Sequence, residues 1–496
     1  MPSNQLADFL AALNDADDLR RVSVEVDPEY ELAAAADAIA RESADGGPAV
    51  LFENVRGSAI PVAANLLGAN RRICRTLGCA DFDDASGRLF SALMPEVPEG
   101  WAGALKLVPR ISQLGGLPPR LVKTGACQQI VKLGSDVELS ELPIPAIWPG
   151  ETGPTMTAGQ VHLLDAETGT RLVSRQRLQI VDERSLMIHW SPYDAAYHAF
   201  RACADAGQQT PIAIVLGGDP LLTYAADAPV PGGNDPLLLA GLLGGQSVDV
   251  VRGRTIELEV PAEAEIVIEG YISPDDRCEQ RGASASDLGY LTEYDSCPTV
   301  HVTAITHRAN PVLPVIIPGR QPTEEHLYHK LTERLVLPFL RLLLPEVVDV
   351  NRPLSGGASR MLFVSINRRF SGQAQKVTDA VGSLNAFSAA KTIVVVDSNV
   401  DVQQEADVWA AVAANVAPDR DIRIADRAGD YSDPAAALDG AAGRLCIDAT
   451  RKFSSMTYPG TRRFVAAPAP DCLERLIARA SELGLRQGDP CRPGRS

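Results

Sequence analysis

The sequence predicts a mixed α/β (α+β) multidomain protein, with an α/β unit at each end and a β-rich unit between them. Three observations carry this. At 496 residues the chain is too long for one ordinary core, and two to four domains are expected. Helix and strand periodicities alternate over the first hundred residues and again after residue 320. Between these regions the signals are mostly of period two and are separated by turn chemistry.

In chain order, "QLADFLAALNDADD" and "YELAAAADAIARES" have helical spacing, while "RRVSVEVD" and "GGPAVLFENV" read as strands. This first unit ends at the Pro/Gly-rich "LVPRISQLGGLPPRLVKTG". Eight short strands follow: "TAGQVHLLD", "RLVSRQRLQIVD", "SLMIHW", "PIAIVLGG", "SVDVVR", "IELEV", "AEIVIEGYI" and "PTVHVTAITHR". Turns such as "DAETGT" and "PVPGGNDP" separate them, and the helical insert "SPYDAAYHAFRACADAG" interrupts them. A barrel or a sandwich is expected. Beyond residue 320, "TEEHLYHKLTERLVLPFLRLLL" is a long amphipathic helix whose first-turn glutamates suit the helix dipole. "SRMLFVSIN", "KTIVVVDSNVDV" and "RLCIDAT" read as buried parallel strands. "GQAQKVTDAVGSL" and "EADVWAAVAANV" read as crossover helices, and "PDCLERLIARASELGL" as a last amphipathic helix. The domains are placed at 1–115, 116–320 and 321–496.

Composition narrows the function classes. Hydrophobic content of 45% and charged content of 22% are ordinary for a globular protein. A net charge of −17 argues against nucleic-acid and anionic-membrane partners, which require basic surfaces. It leaves small anions open, since a few local arginines capture those. The nine cysteines include no CxxC pair, which suits reduced thiols in the cytoplasm and implies no zinc site. The N-terminus lacks the features of a signal peptide. The most apolar stretch, "LVLPFLRLLLP", is too short and interrupted to span a bilayer. P-loop, dinucleotide-binding, HExxH and GxSxG motifs are absent.

Four features carry chemistry. "HLYHK" places His326 and His329 one helical turn apart, where a solvated helix face is the expected reading. On the strand "RLVSRQRLQ", alternation puts Val173, Arg175, Arg177 and Gln179 on one face, with the two arginines roughly 7 Å apart. Such a pair requires carboxylates or a bound anion between its members, and the guanidinium fork suits carboxylate or phosphate. Lys391 opens the strand "KTIVVVD", where it caps the strand into solvent or reaches a phosphate. Finally, "RCEQRGASASDLGYL" follows a strand and reads as a loop whose small residues let a ligand approach the backbone closely. Its only carboxylates are Glu279 and Asp287.

Long collinear strings, among them "PAVLFENVRGSAIPVAANLLGANRRICRTLG", "LEVPAEAEIVIEGYI", "VHVTAITHRANPVLPVIIPGR" and "IVVVDSNVDV", resemble the UbiD family of decarboxylases over nearly the whole chain. The resemblance implies an N-terminal α/β domain, a central split β-barrel of flavin-reductase type, and a C-terminal α/β domain that drives assembly into a homodimer or homohexamer. It implies prenylated FMN, supplied by a flavin prenyltransferase, with Mn²⁺ or Mg²⁺ at its phosphate and K⁺ as a further cation. Carried over by position, Arg177 holds the substrate carboxylate, His189 is a metal ligand, and Lys391 contacts the phosphate. Arg175 joins the cofactor-binding set through its place on the strand.

Three family positions differ. Leu172 stands where the family has an asparagine metal ligand, and Pro236 where it has a glutamate ligand, with Asp235 adjacent. Arg281 and Ser286 stand where two catalytic glutamates belong. Asp287 is then the expected proton donor, and Glu279 the expected partner of Arg177. Arg281 is expected to join Arg175 and Arg177 as a third cation. The leading reading is a carboxy-lyase acting on an aromatic or α,β-unsaturated carboxylic acid. The alternatives are a divergent enzyme with a changed reaction or cofactor, and a non-catalytic subunit whose pocket has collapsed around Leu172.

Overall fold

A computed structural model of the chain describes residues 5–94, 116–191, 193–230, 234–286, 288–319, 323–429 and 441–452, with isolated positions elsewhere. Asp287 and nearly all of the helix expected at 470–485 lie outside the described residues.

The N-terminal unit is built on a four-stranded sheet, Leu19–Val22, Ala49–Phe52, Val62–Ala64 and Leu313–Val315. Its last strand comes from beyond the β-rich region, so the chain returns to the first unit before it enters the third. Helix Leu6–Asp15 buries Leu6, Phe9, Leu10 and Leu13, the spacing that puts one apolar stripe against a core.

All eight strands expected in the central region form. Six of them close a barrel: Thr155–Leu164, Arg171–Ile180, Ser185–Ile188, Thr299–His307, Ile266–Ile272 and Thr210–Leu216, paired antiparallel in that order around the ring. Inward side chains such as Val161, Leu163, Leu178, Ile188, Ile214 and Ile268 fill it. Two helices that the turn-like composition concealed, Pro220–Asp227 and Pro236–Gly244, each begin with an aspartate cap followed by proline at the first helical position, the arrangement that suits a helix start. The Gly/Ser/Ala-rich stretch expected as a loop is instead a hairpin, Gln280–Ala285 paired with Leu291–Cys297.

The C-terminal sheet has the order Val347–Asn351, Met361–Ile366, Thr392–Asp397, Ala441–Asp448, Ile422–Ala428. Its three central strands are parallel, as their continuous apolar character suggests, and the outer two run antiparallel. Helix Glu324–Leu343 leads into this unit and contains Pro338. Proline has no N–H to offer the carbonyl four residues earlier, which is that of Arg334. The buried Ser86 hydroxyl donates to that carbonyl at 2.6 Å, so the helix continues through the proline. Among the described residues no helix is long and apolar enough to cross a membrane, and the eight described cysteines are free.

Candidate active site

The strand Arg171–Ile180 positions the site. Its partner strand carries a register shift between Met156 and Gly159, and a bulge of this kind takes backbone groups out of the ladder. The Thr157 carbonyl freed there accepts from Arg175 Nη1 at 3.2 Å and from Arg177 Nη1 at 3.3 Å. Both arginines reach one oxygen of Glu325, at 2.9 Å from Arg175 and 2.6 Å from Arg177. Arg175 also pairs with Asp227 at 3.0 Å. The anion that the co-facial arginines require is therefore an internal carboxylate.

Glu325 comes from the first turn of the helix Glu324–Leu343, where the dipole favours a negative charge. Burial alone would raise its pKa. Arg177 and Arg175 outweigh burial and hold it at about 2, so it stays ionised. The same carboxylate and Asp227 keep the buried Arg175 firmly charged against its own desolvation. Two groups are left over: Glu325 Oε2 and Arg175 Nε are buried with no hydrogen-bond partner among the described residues.

Arg171, Leu172, Ser174 and Arg175 line one wall of a cavity of about 400 Å³. His329, Arg352 and Asn385 of the C-terminal unit line the other. Leu172 borders this space and does not fill it. Arg352 is buried over the ring of Phe387, 5.1 Å from its centroid, and donates to His329 Nδ1 at 2.9 Å. Burial, then Arg352, push the His329 pKa well below its ordinary value, so the imidazole is neutral. The solvated helix face expected for His326 and His329 does not occur. His326 is buried, with its Nδ1 accepting from the Thr323 N–H to close the cap, and His329 is half-buried at the cavity wall. A second hollow of about 570 Å³ lies between the hairpin tip and Trp148. Among the described residues its charged lining groups are Asp37 and Arg41, which pair with each other.

The remaining expected residues sit as follows. His189 adjoins Arg177 through the backbone, but its ring stacks on Tyr294 at 4.5 Å, and its Nδ1 lies 3.2 Å from the Ser284 hydroxyl. Burial, with Arg177 nearby, lowers its pKa to about 4. Lys391 pairs with Asp433 at 2.7 Å, just beyond the cavity-lining Ala389. Glu279 does not meet Arg177. Its side chain is 77% exposed beside Arg277, and Glu325 holds the place at the arginine. Arg281 is exposed and does not join Arg175 and Arg177. In the hairpin it is Gly282 and Ser284 that turn toward His189. Asp287, the expected proton donor, lies outside the described residues. Its neighbour Ser286 has a buried hydroxyl with no partner among them.

The donors fit a flavin better than a metal. The cavity has the size and mixed lining of a cofactor site, with a buried arginine N–H left over. No group of three or more His, Cys, Asp or Glu able to hold a metal occurs among the described residues. Leu172 and Pro236 carry no donor oxygen on their side chains, while Mg²⁺ and Mn²⁺ require several.

Comparison with known proteins gives one result. The chain matches the N-terminal, Rift-related and C-terminal domains described for 3-octaprenyl-4-hydroxybenzoate carboxy-lyase, UbiD, over residues 10–89, 120–321 and 326–449. An uncharacterised protein of Aquifex aeolicus is 36% identical over 97% of this chain and 98% of its own. Vanillic acid decarboxylase of Sedimentibacter hydroxybenzoicus in its closed form superposes with a TM-score of 0.84 at 26% identity, covering 97% of this chain and 99% of its own. Its open form gives 0.76, so the domain arrangement here is nearer the closed one. The UbiD-class enzyme HmfF of Pelotomaculum thermopropionicum, in complex with prFMN, superposes with a TM-score of 0.75 at 29% identity, covering 95% and 98%.

Proposed function

The chain belongs to the UbiD family of (de)carboxylases, and from that premise we propose that it removes CO2 non-oxidatively from an aromatic or α,β-unsaturated carboxylic acid, using prenylated FMN bound between the barrel and the C-terminal unit. The observation that carries this reading is the pair Arg175 and Arg177, gathered on Glu325 and the Thr157 carbonyl, with Arg175 lining an open cavity of flavin size. The open space beside Leu172 favours an enzyme over a non-catalytic subunit.

Bound there, the cofactor supplies the electron sink for the charge left when CO2 departs. The chain's own residues orient the substrate and move the proton. Arg177 spends Nη2 on Glu325 and Nη1 on Thr157, which leaves Nε and the remaining N–H bonds to grip the substrate carboxylate. Glu325 fixes the direction of that grip, and burial excludes water from it. Asp287 delivers the proton to the carbon that loses CO2. The family's cytoplasmic location, its homodimer or homohexamer, and its dependence on a flavin prenyltransferase come with the proposal.

The test is co-expression with a flavin prenyltransferase, followed by a screen of aromatic and α,β-unsaturated acids for CO2 release. Arg177→Ala is expected to abolish turnover. Asp287→Asn is expected to slow it by roughly 10²–10⁴-fold, the range of general acid catalysis. Absence of flavin from protein prepared in this way would overturn the reading.

A further inference from the structure

Flavin phosphate is a dianion, and burying it requires positive charge. In this chain the groups at the expected metal position are already committed. Asp235 caps the helix Pro236–Gly244 by accepting from the Leu237 N–H at 2.9 Å, and its other oxygen is 2.5 Å from Arg171 Nη1. The second nitrogen of Arg171 is held by Glu259 at 2.7 Å. The two cavity carboxylates outside this group are engaged as well. Asp227 pairs with Arg175 at 3.0 Å, and Asp194 accepts from the Ser191 N–H at 3.1 Å. The His189 ring is enclosed by Tyr294 and Ser284.

Releasing Asp235 to a metal would cost a helix cap and strip a partner from Arg171, which is only 14% exposed. Meanwhile three guanidinium groups, Arg171, Arg175 and Arg352, line the cavity. Arg175 has a buried N–H to spare. Arg352 lies over the Phe387 ring and donates to the His329 ring and the Ala386 carbonyl. A guanidinium fork matches phosphate in shape as well as charge.

We infer that this chain binds its flavin without a divalent metal: a guanidinium, Arg171, occupies the place of the cation at Asp235, and Arg352 supplies the charge that faces the phosphate. The inference rests on the flavin reading above.

The probe is commercial FMN, titrated into flavin-free full-length protein by fluorescence quenching, with riboflavin as the ligand that lacks the phosphate. FMN affinity should agree within about twofold between chelator-treated protein and the same protein supplied with Mn²⁺ or Mg²⁺, and metal analysis should find no stoichiometric metal. Arg352→Gln should weaken FMN roughly ten- to hundredfold, the strength of a charge-assisted contact, while leaving riboflavin unchanged. Binding that is lost in chelator and restored by Mn²⁺ or Mg²⁺ would overturn the inference and leave the proposed function standing. Equal loss of FMN and riboflavin in the variant would overturn the role of Arg352. Failure of flavin to bind under every condition would overturn both.

Discussion

Glu325→Gln is the most informative single change. The substitution keeps the shape and an acceptor oxygen but removes the charge shared by Arg175 and Arg177. Two routes give its size. A carboxyl held at about 2, against an ordinary value near 4.5, carries about 3 kcal/mol of folding free energy in its ionised form. Breaking a buried ion pair costs about 3–5 kcal/mol. Part of this is direct repulsion between two guanidinium groups that meet on one carboxylate oxygen. Arg175 keeps Asp227, so the loss falls mainly on Arg177 and sits at the lower end, about 3 kcal/mol. Urea unfolding of parent and variant at neutral pH measures it. The pH dependence is a second reading with a defined sign. A depressed carboxyl pKa stabilises the fold above the unfolded value and loses that contribution as pH falls from about 4.5 towards 2. The gap between parent and variant should therefore narrow in acid. A difference below about 1 kcal/mol at neutral pH, smaller than one buried pair, would refute the reasoning, as would a gap that widens as pH falls.

Two further predictions follow from the same helix. Burial pushes the Glu324 carboxyl up to about 7, against the lowering effects of the Leu67 N–H and Arg72. The folded state thus prefers the protonated form, and stability falls as pH rises from about 4.5 to 7. Glu324→Gln should be more stable than the parent at pH 8, by up to about 3 kcal/mol, with the advantage gone near pH 4.5; equal stability at pH 8 would contradict this. Ser86→Ala should cost about 1–3 kcal/mol by leaving the Arg334 carbonyl opposite Pro338 without a donor. The paired variant Ser86→Ala/Pro338→Ala restores the helical N–H and should recover most of that loss in thermal unfolding.

The features that were legible in the sequence are those with a strong period. Alternation alone placed Arg175 and Arg177 on one strand face and demanded an anion between them. It could not name that anion, because Glu325 lies 148 residues away from Arg177 and a glutamate at a helix start already has a sufficient local reason to be there. The two histidines of "HLYHK" misled for the opposite reason. Their helix is packed on several sides, so its polar residues face neighbouring units and not solvent. The hairpin at 280–297 was concealed by its composition, since Gly, Ala and Ser have little strand preference. The structure supplies the reason for that composition. A Cβ at Gly282 would come within 2.4 Å of His189 Nε2, so the strand is built of small residues to lie flat against the histidine. This also bears on the catalytic groups. At 281 and 286 the family's glutamates would sit on this hairpin, while here the carboxylate that aims Arg177 arrives from a helix on the far side. An arginine's orientation depends on the position of its partner carboxylate and not on which element carries it. Loss of a glutamate at 281 is therefore compatible with a working site, and under the proposed function it is the proton donor, not the arginine, that residues 286–287 have to supply.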